Sequence, residues 1–340
     1  MELPGASPDV DAVIAWVDGG DPAHRRKLHD FLHGAAPGEP GSPAAADPTR
    51  FSDCGEIDYC VASLLRFAPW LRTIYIVTDA QTPALIERLK GTPFEDRVRV
   101  VDHKVIFSGY EQFLPTFSSL SIEAMLWRIP GLAERFIYLN DDFQIIRPVA
   151  VEDFFRDGGV VLRGKWRATR LRRLGQRIKA ALPAWLRFGK KADPASNHSA
   201  QQLTAAMVGF ADRYFQVPHC PHPMRRSKLE AFLDAHPREL AANLSFRLRA
   251  PEQFLATALA DHLEISMGTA IIDNRLGTLR LKPATQQESS LRRQMAKADS
   301  DANIAFACIQ SLDQAGDEVR ALVFEWLDRR VGKLETLPAQ

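Results

Sequence analysis

The chain has 340 residues, 46% of them hydrophobic and 25% charged, so it can bury a substantial core as one large or two smaller domains, which excludes wholesale disorder. A formal net charge of +1 excludes binding to polyanions through overall charge; no nucleic-acid partner is expected, and any affinity for an anionic surface must come from a local patch. The four cysteines, Cys54, Cys60, Cys220 and Cys308, form no C-x-x-C or zinc-ribbon spacing, which fits a reducing compartment.

In chain order, Met1-Glu2-Leu3-Pro4-Gly5 opens the sequence without a basic region leading into an apolar stretch, and no later run reaches the roughly 18 to 20 apolar residues of a membrane span. The expectation is a cytoplasmic protein, attached at most peripherally to the inner face of the membrane. Val10 to Val17 (VDAVIAWV) reads as a buried strand ending at Asp18-Gly19-Gly20-Asp21-Pro22. Gly34 to Pro48 reads as a surface loop, and Glu56 to Phe67 as a helix broken by Pro69-Trp70. Thr73 to Thr78 and Val98 to Val101 read as strands running into Asp79 and Asp102. Ser118 to Trp127 reads as a helix with Ser118 as its N-cap, and Phe136 to Leu139 as the last strand, ending at Asn140-Asp141-Asp142.

Strands alternating with helices predict an α/β fold: a mostly parallel sheet flanked by helices, whose ligands bind beyond the carboxyl ends of the strands. Four predicted strands end there in acids. Each acid alone is a common turn former or helix cap, but like charges gathered on one rim repel unless a cation or a positive side chain compensates them. Asp141 and Asp142 in particular suit Mg²⁺ or Mn²⁺, hard ions that take one or two carboxylates and complete their shell with water and phosphate oxygens. A helix cap remains the other reading.

Residues 163–191 carry eleven Lys and Arg with no Asp or Glu, interleaved with Leu171, Leu174, Ile178, Leu182, Trp185 and Leu186 at near-helical spacing. This basic amphipathic segment is either a membrane-surface or polyanion contact or a solvated helix face packed on the core. From Ser199 onward helical patterns dominate, as in Lys228 to Ala235, Pro251 to His262 and Asp317 to Arg329. The expected division is a 1–160 α/β half for nucleotide-sugar and metal binding, a 161–195 basic insertion, and a 196–340 α-rich half that completes the site.

Several segments, taken in order, resemble the first and second conserved regions of the Stealth family: DAVIAWVDGGDP (11–22), RFSDCGEIDY (50–59), APWLRTIYIVTDAQ (68–81), VDHKVIF (101–107), LPTFSS (114–119) and IPGLAERFIYLNDD (129–142). That family holds bacterial capsule polysaccharide phosphotransferases and the catalytic subunit of the N-acetylglucosamine-1-phosphotransferase. His219-Cys220-Pro221-His222-Pro223 resembles the family's His-x-Pro-His segment, and Phe246-Arg247-Leu248-Arg249 its His-x-x-Arg segment, with Phe246 in the histidine's place. Gln201 and Ser118 stand where asparagine is common in the family, and residues 307–313 match its fourth region only faintly.

The resemblance implies a nucleotide-sugar transferase-like fold and transfer of a sugar-1-phosphate from a UDP-sugar to a glycan hydroxyl, with release of UMP, in capsule or exopolysaccharide synthesis. Positioning and charge neutralisation are what phosphoryl transfer asks of a protein. Implied roles are Asp141 and Asp142 on the metal, His219 as general base, Asp142 and Arg249 at the reacting phosphate, and Asp18, Asp21, Arg50, Glu56, Gln81, Asn140 and Arg247 around the substrate. On its own His219 is a loop histidine among prolines, and Arg249 a surface ion-pair former. Trp16, Trp70 and Phe117 are read as core, and Cys54 and Cys60 as small buried residues rather than nucleophiles. Two alternatives stand beside this reading: a metal-dependent glycosyltransferase releasing UDP, and a polysaccharide-binding relative without catalysis.

Overall fold

The computed structural model describes residues 9–34, 51–169 and 197–338. Arg50, nearly all of the loop expected over 34–48 and residues 170–191 of the basic segment lie outside the described residues. Thirteen strands occur among the described residues: β1 (Val10–Ala15), β2 (Ile74–Thr78), β3 (Val98–Asp102), β4 (Arg135–Asn140), β5 (Phe143–Ile145), β6 (Phe155–Arg156), β7 (Gly159–Leu162), β8 (Lys165–Ala168), β9 (Arg213–Gln216), β10 (His222–Arg225), β11 (Ala270–Ile272), β12 (Gly277–Leu281) and β13 (Ile304–Ile309).

The main sheet runs β10-β4-β1-β2-β3, parallel except for β10 at one edge. Its register levels the carboxyl ends: Ala15 pairs with both Asn140 and Val77, and Thr78 pairs with Asp102. Both faces are covered, as an all-parallel core requires. Ala12 and Ile14 point into a cluster with Leu64 and Leu65 of helix Glu56–Phe67, while Val13 points into one with Met125, Leu126 and Leu229. Asp11 is fully buried in this apolar strand because Arg72 takes both its oxygens, Nε to Oδ1 at 2.9 Å and Nη2 to Oδ2 at 2.6 Å, and Ala133 N donates to Oδ2 at 2.7 Å. The carboxylate thus ties together the lower ends of β1, β2 and the loop before β4.

The α-rich second half also contributes strands that the sequence reading did not foresee. Phe136 to Leu139 is therefore not the last strand. β13 pairs with β5 in the sheet β12-β13-β5, β11 pairs with β7 in the sheet β11-β7-β6, and β10 adds the fifth strand of the main sheet. The expected insertion begins as sheet: residues 159–162 form β7, residues 165–168 form β8 against β9, and Arg163 is buried with its guanidinium over the rings of Phe154 and Phe306.

The helix expected over Ser118–Trp127 is a short helix at Ser119–Glu123 followed by a 3-10 turn at Leu126–Arg128. Ser118 does not cap it through its side chain; its hydroxyl donates to Gln253 Oε1 at 2.9 Å. The helix expected over Pro251–His262 starts at Ala256. Asn243 Oδ1 and Thr204 Oγ1 accept from the backbone of Phe254 and Leu255, so partners distant in sequence fix the helix entry.

Candidate functional site

A cavity of about 490 Å³ opens along the carboxyl edge of the main sheet. It runs across four strand ends, from Asn140, Asp141 and Asp142 after β4, past Trp16 and Val17 after β1, to Asp79 after β2 and His103 after β3. Phe51 and Phe117 form part of its wall, and Ile309 to Asp313 after β13 close it near the acids. Trp16 and Phe117 are buried as expected, yet both also face this space. Phe51 reaches it because Gly19 passes beneath: a Cβ on Gly19 would sit 2.5 Å from Phe51 O.

Asp141 and Asp142 occupy the two-residue link between β4 and β5, so no helix follows and the helix-cap reading falls away. Asp142 is held on both sides: its carbonyl accepts from Ile309 N at 2.9 Å, and its Oδ2 from Cys308 Sγ at 3.6 Å. Its Oδ1 is buried without any hydrogen-bond partner. Burial, and then the neighbouring Asp142, hold Asp141 well above the ordinary carboxyl range; burial pushes Asp142 up to about 7. Glu56, buried nearby with Cys54 N donating to it at 2.7 Å, is raised by burial too.

Adjacent cavity-lining acids that resist ionising together, one with a buried oxygen left unsatisfied, fit a divalent cation. Among the described residues no three His, Cys, Asp or Glu side chains form a closed metal cage. Mg²⁺ or Mn²⁺ on Asp141 and Asp142 would therefore keep positions for water and phosphate oxygens, which is the usual arrangement for such ions.

A second, smaller cavity of about 50 Å³ adjoins the first, and the two share Tyr138, Asn140 and Arg249 as lining. His219 and His222 lie in it with Gln201 and Glu123. Burial first, with Arg280 and Lys282 adding to it, pushes His219 down to about 4, so its imidazole is neutral at pH 7 and carries a free acceptor nitrogen. Its ring stands edge-on to Phe143 at 6.3 Å. Arg249 donates to Ser119 Oγ and offsets the buried carboxyl of Glu123, which burial nevertheless raises to about 7. Asn140 Oδ1 accepts from Tyr138 OH at 2.7 Å.

Asp141, Asp142, Glu56, Asn140, Arg249 and His219 thus sit on two adjoining cavities. Of the other residues given a substrate role, Asp18, Asp21, Gln81 and Arg247 line neither, and Arg50 lies outside the described residues. Asp18 and Asp21 are turn and cap: Asp18 Oδ1 accepts from Gly20 N, and Asp21 Oδ1 from Ala23 N and His24 N at the start of helix Pro22–Gly34. Gln81 shapes the rim, its amide bonded to both Asp18 N and Asp18 O. Arg247 donates to the carbonyls of Pro115 and Gln112 at 3.0 and 2.6 Å, holding a loop.

Among the titratable cavity residues, His24, His103 and Glu123 were given no role by the sequence reading, and Asp313 stood only at the end of the faint fourth-region match. His103 follows the strand-end Asp102 directly, which was the available signal; Glu123 is a lone acid on the apolar face of its helix. Nothing in the local pattern marks His24.

Residues 8–35 match the family model described as Stealth protein CR1, conserved region 1, and residues 50–162 match Stealth protein CR2, conserved region 2. A capsular polysaccharide phosphotransferase of Actinobacillus suis is 40% identical over 154 residues, 45% of this chain and 39% of that protein. An exopolysaccharide phosphotransferase of Streptomyces coelicolor is 34% identical over 263 residues, 77% of this chain and 26% of that protein. The chain thus spans between a quarter and two fifths of the length of these curated relatives. Among solved structures, the galactosyltransferase LgtC in complex with donor and acceptor sugar analogs is 12% identical, with 96% of this chain and 97% of that one covered at a TM-score of 0.42. The bifunctional glycosyltransferase WbbM is 9% identical, with 97% and 50% covered at a TM-score of 0.44. These are distant likenesses of shape.

Proposed function

Since this chain belongs to the Stealth family, we propose that it is a phosphotransferase of capsule or exopolysaccharide synthesis, moving a hexose-1-phosphate or N-acetylhexosamine-1-phosphate from a UDP-sugar to a glycan hydroxyl and releasing UMP. The observation that carries the reading is the sheet-edge cavity with Asp141 and Asp142 on its floor and Arg249 where it meets the smaller one.

In this reading the acceptor oxygen attacks the sugar-bearing phosphorus of the donor; a new P–O bond forms, the P–O–P bridge breaks, and UMP leaves with the bridging electron pair. Mg²⁺ or Mn²⁺, bound by Asp141 and Asp142, would neutralise charge on the non-bridging diphosphate oxygens. Arg249, already oriented by Ser119, would present paired donors to the transferring phosphoryl group. The neutral imidazole of His219 would take the acceptor's proton, and negative charge on a bound donor would strengthen it as a base. Glu56 and Asn140 would hold the surroundings of the acid pair in place.

The test is incubation with a panel of UDP-sugars, Mg²⁺ or Mn²⁺ and a glycan acceptor, reading the released nucleotide and the product's phosphorus by ³¹P NMR. UMP with a phosphodiester in the product is the expected result. UDP with no phosphorus in the product would instead assign ordinary glycosyl transfer.

A further inference from the structure

Two exposed cations stand beside the site, and among the described residues neither is paired with an acid. Leu279 and Leu281 of β12 are buried, so Arg280 and Lys282, which alternate with them, share the opposite face and are exposed there. The register fixes what that face looks toward. Arg280 pairs with Cys308 of β13, and Cys308 with Phe143 of β5; residues so paired point to the same side. Cys308 Sγ donates to Asp142 Oδ2 at 3.6 Å, and the ring of Phe143 stands edge-on to His219 at 6.3 Å. The two cations therefore lie on the face of this sheet that meets both the acid and the base.

Arg280 is fastened to the cavity wall: its Nε and Nη2 both donate to Oε1 of Gln310, which lines the large cavity, at 2.9 and 2.7 Å. That amide is neutral, so the guanidinium charge is uncompensated and its other N–H groups stay available. Lys282 has no side-chain partner among the described residues, whereas Arg275 and Arg292, exposed likewise, are paired with Asp273 and Glu288. Both cations act on His219, and Arg280 acts on Asp142 as well, which places their charges within electrostatic reach of the reacting groups. An anion seated on the pair would cancel that field and leave His219 the stronger base.

The reaction proposed above makes such an anion. Each transfer leaves a negatively charged phosphodiester one sugar away from the new end of the glycan. We propose that Arg280 and Lys282 hold that phosphodiester while the next hydroxyl lies at His219, so that the acceptor is an anionic glycan and the product of one transfer is the acceptor of the next. This rests on the phosphotransferase reading and adds to it the chemical class of the acceptor and the residues that select it.

The experiment uses the full chain with the UDP-sugar, ion and neutral glycan that yield UMP, and takes as second acceptor the phosphodiester product isolated after a single transfer. Wild type is compared with the double variant Arg280→Gln, Lys282→Gln through the ratio of kcat/KM, product over neutral glycan. Wild type should extend the product. The double variant should lower the ratio about three- to thirtyfold, the scale of two partly solvated charge pairs, through the acceptor KM. Added NaCl should lower the wild-type ratio and leave that of the variant level, since exposed charges are screened. A ratio equal in the two proteins would overturn the subsite, as would a wild type that does not extend its product. An equal loss with both acceptors would assign the cations to the donor or to His219 and overturn it also. Where no acceptor yields UMP, the phosphotransferase reading falls and the subsite with it. If the double variant does not fold, Lys282→Gln, at an exposed position, is read by the same outcomes.

Discussion

Gln253→Leu tests whether the segment bearing Arg249 is held by a single side-chain amide. All four hydrogen-bonding positions of that amide are filled in the interior: Oε1 accepts from Ser118 Oγ and Ala250 N, each at 2.9 Å, and Nε2 donates to Ser121 Oγ at 2.9 Å and Asn243 O at 2.8 Å. The leucine fills similar space but strands two buried donors, Ala250 N and Ser118 Oγ. The other two groups keep each other, because Ser121 Oγ also donates to Asn243 O. At about 1–3 kcal/mol for each stranded group, the loss is about 2–6 kcal/mol. At about 2–4 °C per kcal/mol, the melting midpoint should fall by about 4 °C at the least. Ala250 adjoins Arg249, and Ser118 adjoins the Ser119 that Arg249 bonds. Turnover with UDP-sugar should therefore fall about a hundredfold in the folded variant, the scale of a misplacement of about 1 Å. Urea titration and steady-state kinetics on the same preparation read both quantities. A variant that melts and turns over as wild type would refute the reasoning.

Other perturbations address the site directly. Asp142→Ala should abolish turnover and its dependence on divalent ions while leaving the melting midpoint at or above the wild-type value, because a poorly solvated carboxyl is removed; metal-stimulated turnover in this variant would remove Asp142 from the ion. Arg249→Lys should lower kcat by about tenfold or more despite the kept charge, since a lysine cannot present a fork to phosphate; wild-type kcat would reduce Arg249 to a point charge. Acidification should draw stability from the two buried histidines of the smaller cavity, against the gain from the raised carboxyls of Asp142 and Glu123. Burial holds the folded pKa of His222 at about 3 and of His219 at about 4, below the ordinary 6.5, so the unfolded chain protonates first. The contribution is intact above about pH 6.5 and erodes on the way down to the folded pKa, by up to about 1.4 kcal/mol per pH unit for a fully sheltered group such as His222. His222→Phe should flatten that slope in urea titrations at pH 7 and pH 5, and an unchanged slope would refute the assignment.

The parallel strands were readable because each is an apolar run stopped by an acid or a turn, and the acids that end them mark one edge whatever the helices do. β10 was not readable: His222-Pro223-Met224-Arg225 has no alternation and carries a proline, and it works only as an antiparallel edge strand. β13, an apolar six-residue run, could have been read as strand or buried helix, and only its pairing with β5 and β12 decides. The same limit applies to the site. Asp141 and Asp142 announced themselves by position, whereas the placement of Glu123 beside Arg249 depends on a contact between segments more than a hundred residues apart. Arg247 went the other way: identical in type to Arg249 and two residues off, it faces carbonyl oxygens of a loop instead of a cavity.

The strand exchange between the halves bears on how the gene can be cut. A fragment ending near residue 160 would keep β4 and β5 but lose β10 and β13, the neighbours that cover them. Two raw backbone edges would then lie open to pairing with other molecules. Such a fragment should come out of the cell as aggregate, though it carries most of the residues by which its kinship is recognised.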